Sequence, residues 1–302
     1  MLLKWLDPIF FKKLEILQFK NRRASLTSRS GDLFTTKRGF SIEFMDYKEY
    51  TYEDDYRYID WNLYGRLDRL YIRLYKGERS MSLYIFLDAS RSMALPKKDN
   101  KFEYAAKTAL ALAYVGLISG DRVKLVIIGG RSSLGLGRIL QTPFYYGARN
   151  ILHFRRFLQG LEPDGESDCL EVVQKTLYRN RDVGTAVLIS DFWMEPEEYK
   201  TAISFLRYKN FDINVLNILD QSELTLFKRA GKIKVRDSET GREKIVFLSE
   251  SSRRRYEQAI QSHREELRRY CLSNKALFVQ SDTQTEVEDF VLRELPHMRL
   301  LR

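Results

Sequence analysis

The stretch Met81–Met93 reads Met-Ser-Leu-Tyr-Ile-Phe-Leu-Asp-Ala-Ser-Arg-Ser-Met and contains the first strand of the predicted main sheet. Its apolar run, Leu83–Leu87, is rich in large and β-branched side chains, which is typical of a strand buried on both faces. The run ends at Asp88, and hydroxyl groups follow at Ser90 and Ser92. A carboxylate just past the end of such a strand lies where open α/β sheets bind ligands.

The polar end of this stretch has two interpretations. Carboxylate and hydroxyl oxygens are the hard ligands that Mg²⁺ or Mn²⁺ prefers. Asp and Ser are also common in turns, and for Asp88–Ser92 taken alone a turn is the better interpretation. The rest of the sequence has to decide between a turn and a metal site.

Predicted strands and helices alternate along the chain from residue 82 onward. Further strands are predicted at 123–128, 186–189, 211–219 and 276–280, and helices at 100–118, 147–158, 168–178, 196–208, 256–270 and 286–295. This alternation predicts an α/β fold with a doubly wound, mostly parallel sheet and helices on both faces.

The chain is predicted to divide near residue 80. Residues 1–80 contain a helix that begins at Asp7-Pro8, followed by a Tyr-rich β extension, and the helix is expected to pack on the main body. Residues 81–302 form the α/β domain, with a β-hairpin insertion at about 230–250.

Composition indicates a water-soluble protein of a reducing compartment. With 44% hydrophobic and 30% charged residues and a mean hydropathy of -0.41, no window is apolar enough to span a bilayer. Lys4 and Asp7 interrupt any signal-peptide core. Two cysteines, Cys169 and Cys271, cannot form a disulfide framework or a zinc cluster. We therefore expect a cytoplasmic protein.

The net charge of +10 suggests an acidic partner, and nucleic acid is one candidate. The basic residues are spread along the chain, however, and the dense cluster Arg253–Arg255 is followed by Glu257, Glu265 and Glu266. A solvated helix face explains this cluster better, so nucleic-acid binding is not expected.

Two further pieces of sequence point to the same place as Asp88. Asp191 follows the strand predicted at 186–189, and Ser167 lies in a loop that opens a helix. Strand ends are adjacent where a doubly wound sheet changes direction, so Asp88 and Asp191 can face one cavity. Two carboxylates and three hydroxyls suit a six-coordinate Mg²⁺ that keeps some water and accepts an acidic side chain from another protein.

The pattern Asp88-x-Ser90-x-Ser92, with hydroxyl and carboxylate groups at Ser167 and Asp191, resembles the metal-ion-dependent adhesion site of von Willebrand factor A-type domains. More closely, the chain resembles the bacterial family called domain of unknown function 58, which is associated with MoxR-type AAA+ ATPases. The matching stretches are Gly39–Tyr47, Asp54-Asp55-x-Arg57-x-Ile59-Asp60-Trp61-Asn62, Leu87–Met93, Ile189-Ser190-Asp191, Glu223-Leu224 and Arg236–Gly241.

This resemblance runs from about Asp7 to Leu295 and implies a von Willebrand factor A-like fold with a metal site. It assigns the loop ligand to Ser167 rather than Asp168, although Thr is usual at that position. Glu53 stands where the family commonly has Gly, so the local turn is expected to differ.

The leading hypothesis is a metal-dependent adaptor, not an enzyme, that binds a MoxR-type ATPase, a client protein, or both. Its role would be the assembly, maturation or remodelling of the client. His153, His263 and His297 lie far from the metal-ligand candidates in sequence, and no catalytic or cofactor-binding residues are assigned.

Two other functions remain open. One is a Mg²⁺-dependent, phosphatase-like hydrolase in which Asp88 attacks phosphorus, although Ser90 occupies the position where a second carboxylate is expected. The weaker one is nucleic-acid binding through the basic charge and the Tyr-rich region.

Overall fold

The computed structural model describes two compact units. The described residues are 7–19, 43–51, 56, 59–76, 81–95, 101–132, 139–165, 168–178, 183–224, 231–236 and 243–302. One unit falls within 1–22 and 81–302, and the other within 23–80.

The strands, in chain order, are β1 (Glu43–Glu49), β2 (Tyr71–Lys76), β3 (Ser82–Ala89), β4 (Arg122–Gly129), β5 (Arg131–Ser132), β6 (Leu161–Glu162), β7 (Gly184–Ser190), β8 (Asp212–Leu219), β9 (Gly231–Arg236), β10 (Glu243–Leu248) and β11 (Leu277–Asp282). The α-helices are α1 (Pro8–Leu14), α2 (Trp61–Leu67), α3 (Lys101–Ile118), α4 (Ile151–Gln159), α5 (Cys169–Tyr178), α6 (Pro196–Tyr208), α7 (Gln221–Leu224), α8 (Glu250–Ser273), α9 (Val287–Asp289) and α10 (Leu295–His297). Short 3-10 turns lie at Arg91–Ala94 and Ala148–Asn150, and a π-helical turn lies at Phe290–Glu294.

The larger unit is built on a five-stranded sheet with the order β11-β8-β7-β3-β4. All four neighbouring pairs in this sheet are parallel. The first strand, β3, has β4 on one side and β7 on the other, so the chain changes direction between β3 and β7. The predicted α/β fold with a mostly parallel sheet is confirmed, and it is consistent with a von Willebrand factor A-like fold.

Every residue of β3 is buried, which explains why helices cover both faces of the sheet. Leu83, Ile85 and Leu87 pack in one hydrophobic core, together with apolar side chains of α1, α3 and α4. Tyr84 and Phe86 point the other way, into a second core with α5, α6 and α8. Alternation of side chains along the strand therefore supplies apolar groups to both layers.

The first helix, α1, packs in the larger unit, whereas the prediction had grouped residues 1–80 together. Phe11 is buried and meets the ring of Tyr114 of α3 edge-on, with 4.6 Å between ring centroids. Phe19 forms an antiparallel bridge with Leu301. The apolar side of α1 is thus buried against α3, which accounts for its place in this unit.

The smaller unit contains an antiparallel pair, β1 and β2, and the helix α2. Asp60 caps α2, since its Oδ1 accepts hydrogen bonds from the backbone N–H groups of Asn62 and Leu63 at 3.0 and 3.3 Å. In the larger unit, β9 and β10 form a separate antiparallel pair between α7 and α8. In the parts of the chain that are described, no helix is both long and apolar enough to cross a membrane.

The close approach of β3 and β7 predicts a severe effect of Gly184→Ala. A Cβ atom at Gly184 would lie 1.9 Å from the carbonyl oxygen of Ser82, its partner in β3. The two strands would have to separate, and we expect a loss of about 2 kcal/mol or more in the free energy of unfolding, measured by urea denaturation. Gly65→Ala is the control, because nothing lies within 4 Å of a Cβ there. In helix α2 this change should stabilise by about 0.5–1 kcal/mol, and equal losses in both variants would contradict the prediction.

We expect the stability of the protein to depend on pH through Asp121, which directly precedes β4. Its carboxylate is buried and accepts a hydrogen bond from the backbone N–H of Met81 at 3.0 Å. Burial raises the pKa of Asp121 from 3.8 to about 6, against the opposing effect of this hydrogen bond. The folded protein therefore holds this proton more tightly than the unfolded chain does. The resulting stability is present below pH 3.8 and is lost as the pH rises through about 6.

Asp121→Asn keeps the hydrogen-bond acceptor and removes the titration. We expect the variant to gain on the order of 2 kcal/mol relative to the wild type between pH 4 and pH 7, since one pKa unit corresponds to about 1.4 kcal/mol. Denaturant unfolding across this pH range measures the difference. An unchanged pH profile would show that Asp121 does not titrate in this range.

Candidate functional site

Asp88 lies near the carboxyl end of β3, next to the point where the sheet changes direction. Its carboxylate is almost completely buried, with 1% of the residue exposed. Oδ1 accepts a hydrogen bond from the backbone N–H of Ser90 at 2.8 Å, and Oδ2 accepts one from the hydroxyl of Ser190 at 2.5 Å. These neutral donors fix the orientation of the carboxylate but bring no positive charge to it.

Ser90 and Ser92 place two buried hydroxyl groups beside this carboxylate. Ser90 precedes the 3-10 turn Arg91–Ala94, and its Oγ lies 3.1 Å from Oγ of Ser92. Adjacent oxygen ligands of an octahedral Mg²⁺, each about 2.1 Å from the ion, lie roughly 3 Å apart. The two hydroxyls therefore have the spacing of neighbouring ligands on one ion.

Asp191 directly follows β7 and is also buried. Its Oδ1 accepts a hydrogen bond from the backbone N–H of Trp193 at 3.2 Å, and its Oδ2 accepts one from Nζ of Lys101 at 2.7 Å. Lys101 is the first residue of α3, is completely buried, and also forms an ion pair with Glu223 of α7. Groups that follow β3, β7 and β8 thus meet at one edge of the sheet.

The positive charge in this cluster is unevenly distributed. Burial and, to a smaller extent, the charge of Asp191 raise the pKa of Asp88 to about 7, and the hydrogen bonds from Ser190 and Ser90 oppose this only in part. Burial alone would lower the pKa of Lys101, but Asp191 and Glu223 outweigh it and raise that pKa. Lys101 is therefore charged and paired with Asp191 and Glu223, whereas the hydrogen bonds that Asp88 accepts within the described part of the chain come from neutral groups.

The formal charges of these four side chains match one divalent cation. With all three carboxyl groups ionised, as a bound cation would favour, Asp88, Asp191 and Glu223 contribute -3 and Lys101 contributes +1, which leaves -2. The described residues contain no group of three or more His, Cys, Asp or Glu side chains that could hold a metal ion. Any ion held here would therefore depend on the serine hydroxyls as well as on the carboxylates. The donor set fits Mg²⁺ or Mn²⁺, which prefer oxygen ligands.

Ser167 lies outside the described residues, so its role as a ligand stays a prediction, as does the choice between Ser167 and Asp168. The residues on either side of the gap lie at the site. Burial raises the pKa of the Cys169 thiol, and the charge of Asp88 adds to this rise. Before the gap, the carbonyl oxygen of Gly165 accepts a hydrogen bond from the backbone N–H of Arg91 at 3.0 Å.

The structure adds residues that were not predicted as part of the site. Ser190 donates a hydrogen bond to Asp88. The sequence indicated Ser190 only by its position directly before Asp191. Lys101 carried no such signal, because a lysine at the start of a helix is ordinarily solvated. The only earlier indication of Glu223 was the stretch Glu223-Leu224, which is one of those that carry the family resemblance.

His263 also lies closer to the site than its position in the sequence indicated. Its Nε2 is 2.9 Å from the carbonyl oxygen of Phe192, and its ring stacks on Trp193 with 5.1 Å between centroids. Phe192 has a φ of 56°, a left-handed conformation that is uncommon outside glycine. His263 therefore supports the turn that follows Asp191.

Comparison with known proteins gives weak structural matches. The conserved hypothetical protein BatB from Bacteroides thetaiotaomicron is 13% identical, with a TM-score of 0.40 over 72% of this chain and 98% of that chain. An aerotolerance-related membrane protein from Bacteroides fragilis is 12% identical, with a TM-score of 0.42 over the same shares. An uncharacterized membrane spanning protein from Vibrio fischeri is 17% identical, with a TM-score of 0.23 over 72% of this chain and 97% of that chain. Similarities this low assign no function to this chain.

Sequence comparison is more decisive. No curated protein matches the chain. The family described as "Protein of unknown function DUF58" matches residues 46–266, which is well over half of the chain. The matched region includes Asp88 and Asp191 and confirms the family to which the motifs pointed. The chain belongs to the DUF58 family.

Proposed function

We propose that the chain is a metal-dependent protein-binding module that holds Mg²⁺, or Mn²⁺, at the carboxyl edge of its sheet. Its ligands would be Asp88, Ser90, Ser92, Ser167 and Asp191, directly or through water. The observation that carries the proposal is a buried Asp88 carboxylate that accepts hydrogen bonds from neutral groups of the described residues, placed beside two hydroxyls 3.1 Å apart. A divalent ion would supply the missing positive charge and use both hydroxyls.

The choice of ligands supports binding of an acidic partner. Serine hydroxyls are neutral, so an ion held partly by Ser90 and Ser92 keeps more of its charge than one held only by carboxylates. A carboxylate from another protein could then displace a water molecule and complete the shell. We propose a MoxR-type AAA+ ATPase, a client protein or both as the source of that carboxylate, in the cytoplasm, during assembly, maturation or remodelling of the client.

The surroundings of Asp88 favour binding over hydrolysis. A nucleophilic carboxylate needs an accessible oxygen, whereas each oxygen of Asp88 accepts a hydrogen bond and the residue is 1% exposed. The ammonium group of Lys101 is completely buried between Asp191 and Glu223, and cannot reach a phosphate outside.

Asp88→Asn tests the metal site directly. We expect the wild-type chain to bind one Mg²⁺ and the variant to bind it at least about tenfold more weakly, since a ligand charge is lost. Isothermal titration calorimetry measures the affinity, and the fluorescence of Trp193, whose backbone N–H bonds Asp191, gives a second signal. Asp121→Asn is the matched control, because it neutralises a buried carboxylate that bonds Met81 before the start of β3. Wild-type protein that binds neither Mg²⁺ nor Mn²⁺ would refute the proposal.

The metal bridge to a partner is tested separately, with a purified MoxR-type ATPase. We expect the ATPase to be retained by the immobilised chain in Mg²⁺ and released by a chelator. The Asp88→Ala variant should fail to retain the ATPase even in Mg²⁺, whereas the Asp121→Asn variant should retain it. Retention that is undiminished in chelator and in Asp88→Ala would exclude a metal bridge.

A further inference from the structure

Lys101 is a lysine with no solvent exposure, an arrangement that requires strong compensation. Its Nζ contacts Asp191 Oδ2 at 2.7 Å and also contacts Glu223 Oε1. The other oxygen of Glu223 accepts a hydrogen bond from the backbone N–H of Asp220 at 3.3 Å. The ammonium group therefore joins the start of α3 to the segments that follow β7 and β8.

We propose that Lys101 is the permanent counter-cation of the site, which keeps the metal-free site folded and lowers its affinity for the divalent ion. The inference rests on the proposed function in one respect, namely that the site holds a divalent cation. It assigns Lys101 a positioning role and makes the ion exchangeable rather than structural.

The stabilising role of Lys101 follows from the burial of the carboxylates around it. Without Lys101, the carboxylates of Asp88, Asp191 and Glu223 would share one poorly solvated region with no positive charge among them. Buried carboxylates in that situation repel one another and lose the stabilisation of water. Lys101 supplies a positive charge to Asp191 and Glu223 before any metal arrives, so the loops can adopt their arrangement in the absence of the ion.

The lowered affinity for the divalent ion follows from repulsion between that ion and the ammonium group of Lys101. Asp191 is both a proposed metal ligand and the direct partner of Lys101, so the ion and the ammonium group would act on the same carboxylate. Two cations in a region of low dielectric repel each other more strongly than in water. Lys101 should therefore weaken ion binding, which permits release and exchange.

A purely structural role of Lys101 predicts the opposite change in affinity. If the ammonium group only cross-linked three loops, its removal would loosen the site and weaken metal binding. The counter-cation role predicts a less stable protein that binds the metal more tightly. The direction of the change in Mg²⁺ affinity therefore separates the two roles.

The experiment uses three variants of the full chain: Lys101→Met, Glu223→Gln and the double variant. With the remaining carboxyl groups ionised, the formal charges of the site are -3, -1 and -2, against -2 in the wild type. Thermal unfolding in chelator and titration with Mg²⁺ are measured for each. The double variant is the matched control, because it has the charge of the wild type without the ammonium group.

Lys101→Met should have a lower Tm in chelator than the wild type and a Mg²⁺ affinity at least about tenfold higher. Its Tm should also rise more with added Mg²⁺, since stabilisation by a ligand grows with the logarithm of its affinity. Glu223→Gln should bind Mg²⁺ more weakly, and the double variant should return to within about threefold of the wild type.

Lys101→Met that binds Mg²⁺ as weakly as the wild type, or more weakly, would overturn the counter-cation role. If this variant does not fold, the double variant is compared with Glu223→Gln and should bind Mg²⁺ more tightly. The reverse order would overturn the role.

If the wild type binds no divalent ion, the proposed function fails, but the stabilising half of the inference is still measured. The double variant should then be more stable than Lys101→Met in chelator, and equal stabilities would reject that half.

Discussion

The complete burial of β3 is the constraint on which the rest of the larger unit depends. A strand that is apolar on both faces needs a helical layer on each side, so the chain must cross over between strands and the sheet becomes parallel. Parallel strands end at one edge. With β4 on one side of β3 and β7 on the other, the ends of β3 and β7 flank the point where the sheet changes direction. Asp88 and Asp191 are neighbours for this reason.

Burial of that edge creates an electrostatic problem that the protein solves unevenly. Asp191 and Glu223 share the ammonium group of Lys101, whereas Asp88 accepts hydrogen bonds from the neutral groups of Ser90 and Ser190. Hydrogen bonds from neutral groups hold a carboxylate in place but replace little of the free energy of its hydration. An external cation is therefore most favourable beside Asp88. The two nearby hydroxyls indicate what kind of ion that would be, since hydroxyl oxygen suits Mg²⁺ and Mn²⁺.

The sequence predicted what depends on local pattern and could not predict what depends on long-range packing. The apolar run 83–87 and its abrupt end were sufficient to predict the buried strand and to place Asp88 at the sheet edge. The apolar side of α1 was likewise sufficient to predict that this helix packs on the main body, where Phe11 meets Tyr114 of α3. Lys101 lies 90 residues before its partner Asp191, and His263 lies 71 residues from Phe192. Neither pairing has a periodic signature, because each arises only when separate crossover connections return to the same edge.

The positive charge of Lys101, together with the acidic residues, makes the proposed site better suited to binding an acidic partner than the acidic residues alone would. Without Lys101, three ionised carboxylates and a divalent ion would have a net charge of about -1. A partner's carboxylate would then be repelled by the site. With Lys101 present, the ion brings the cluster to neutrality, and an added carboxylate meets no excess negative charge. A hydrolase in which Asp88 attacks phosphorus would need one oxygen of that carboxylate open to the substrate, whereas both oxygens accept hydrogen bonds and the residue is buried. Under the proposed function, the ammonium group of Lys101 would therefore favour an acidic protein ligand beside the ion.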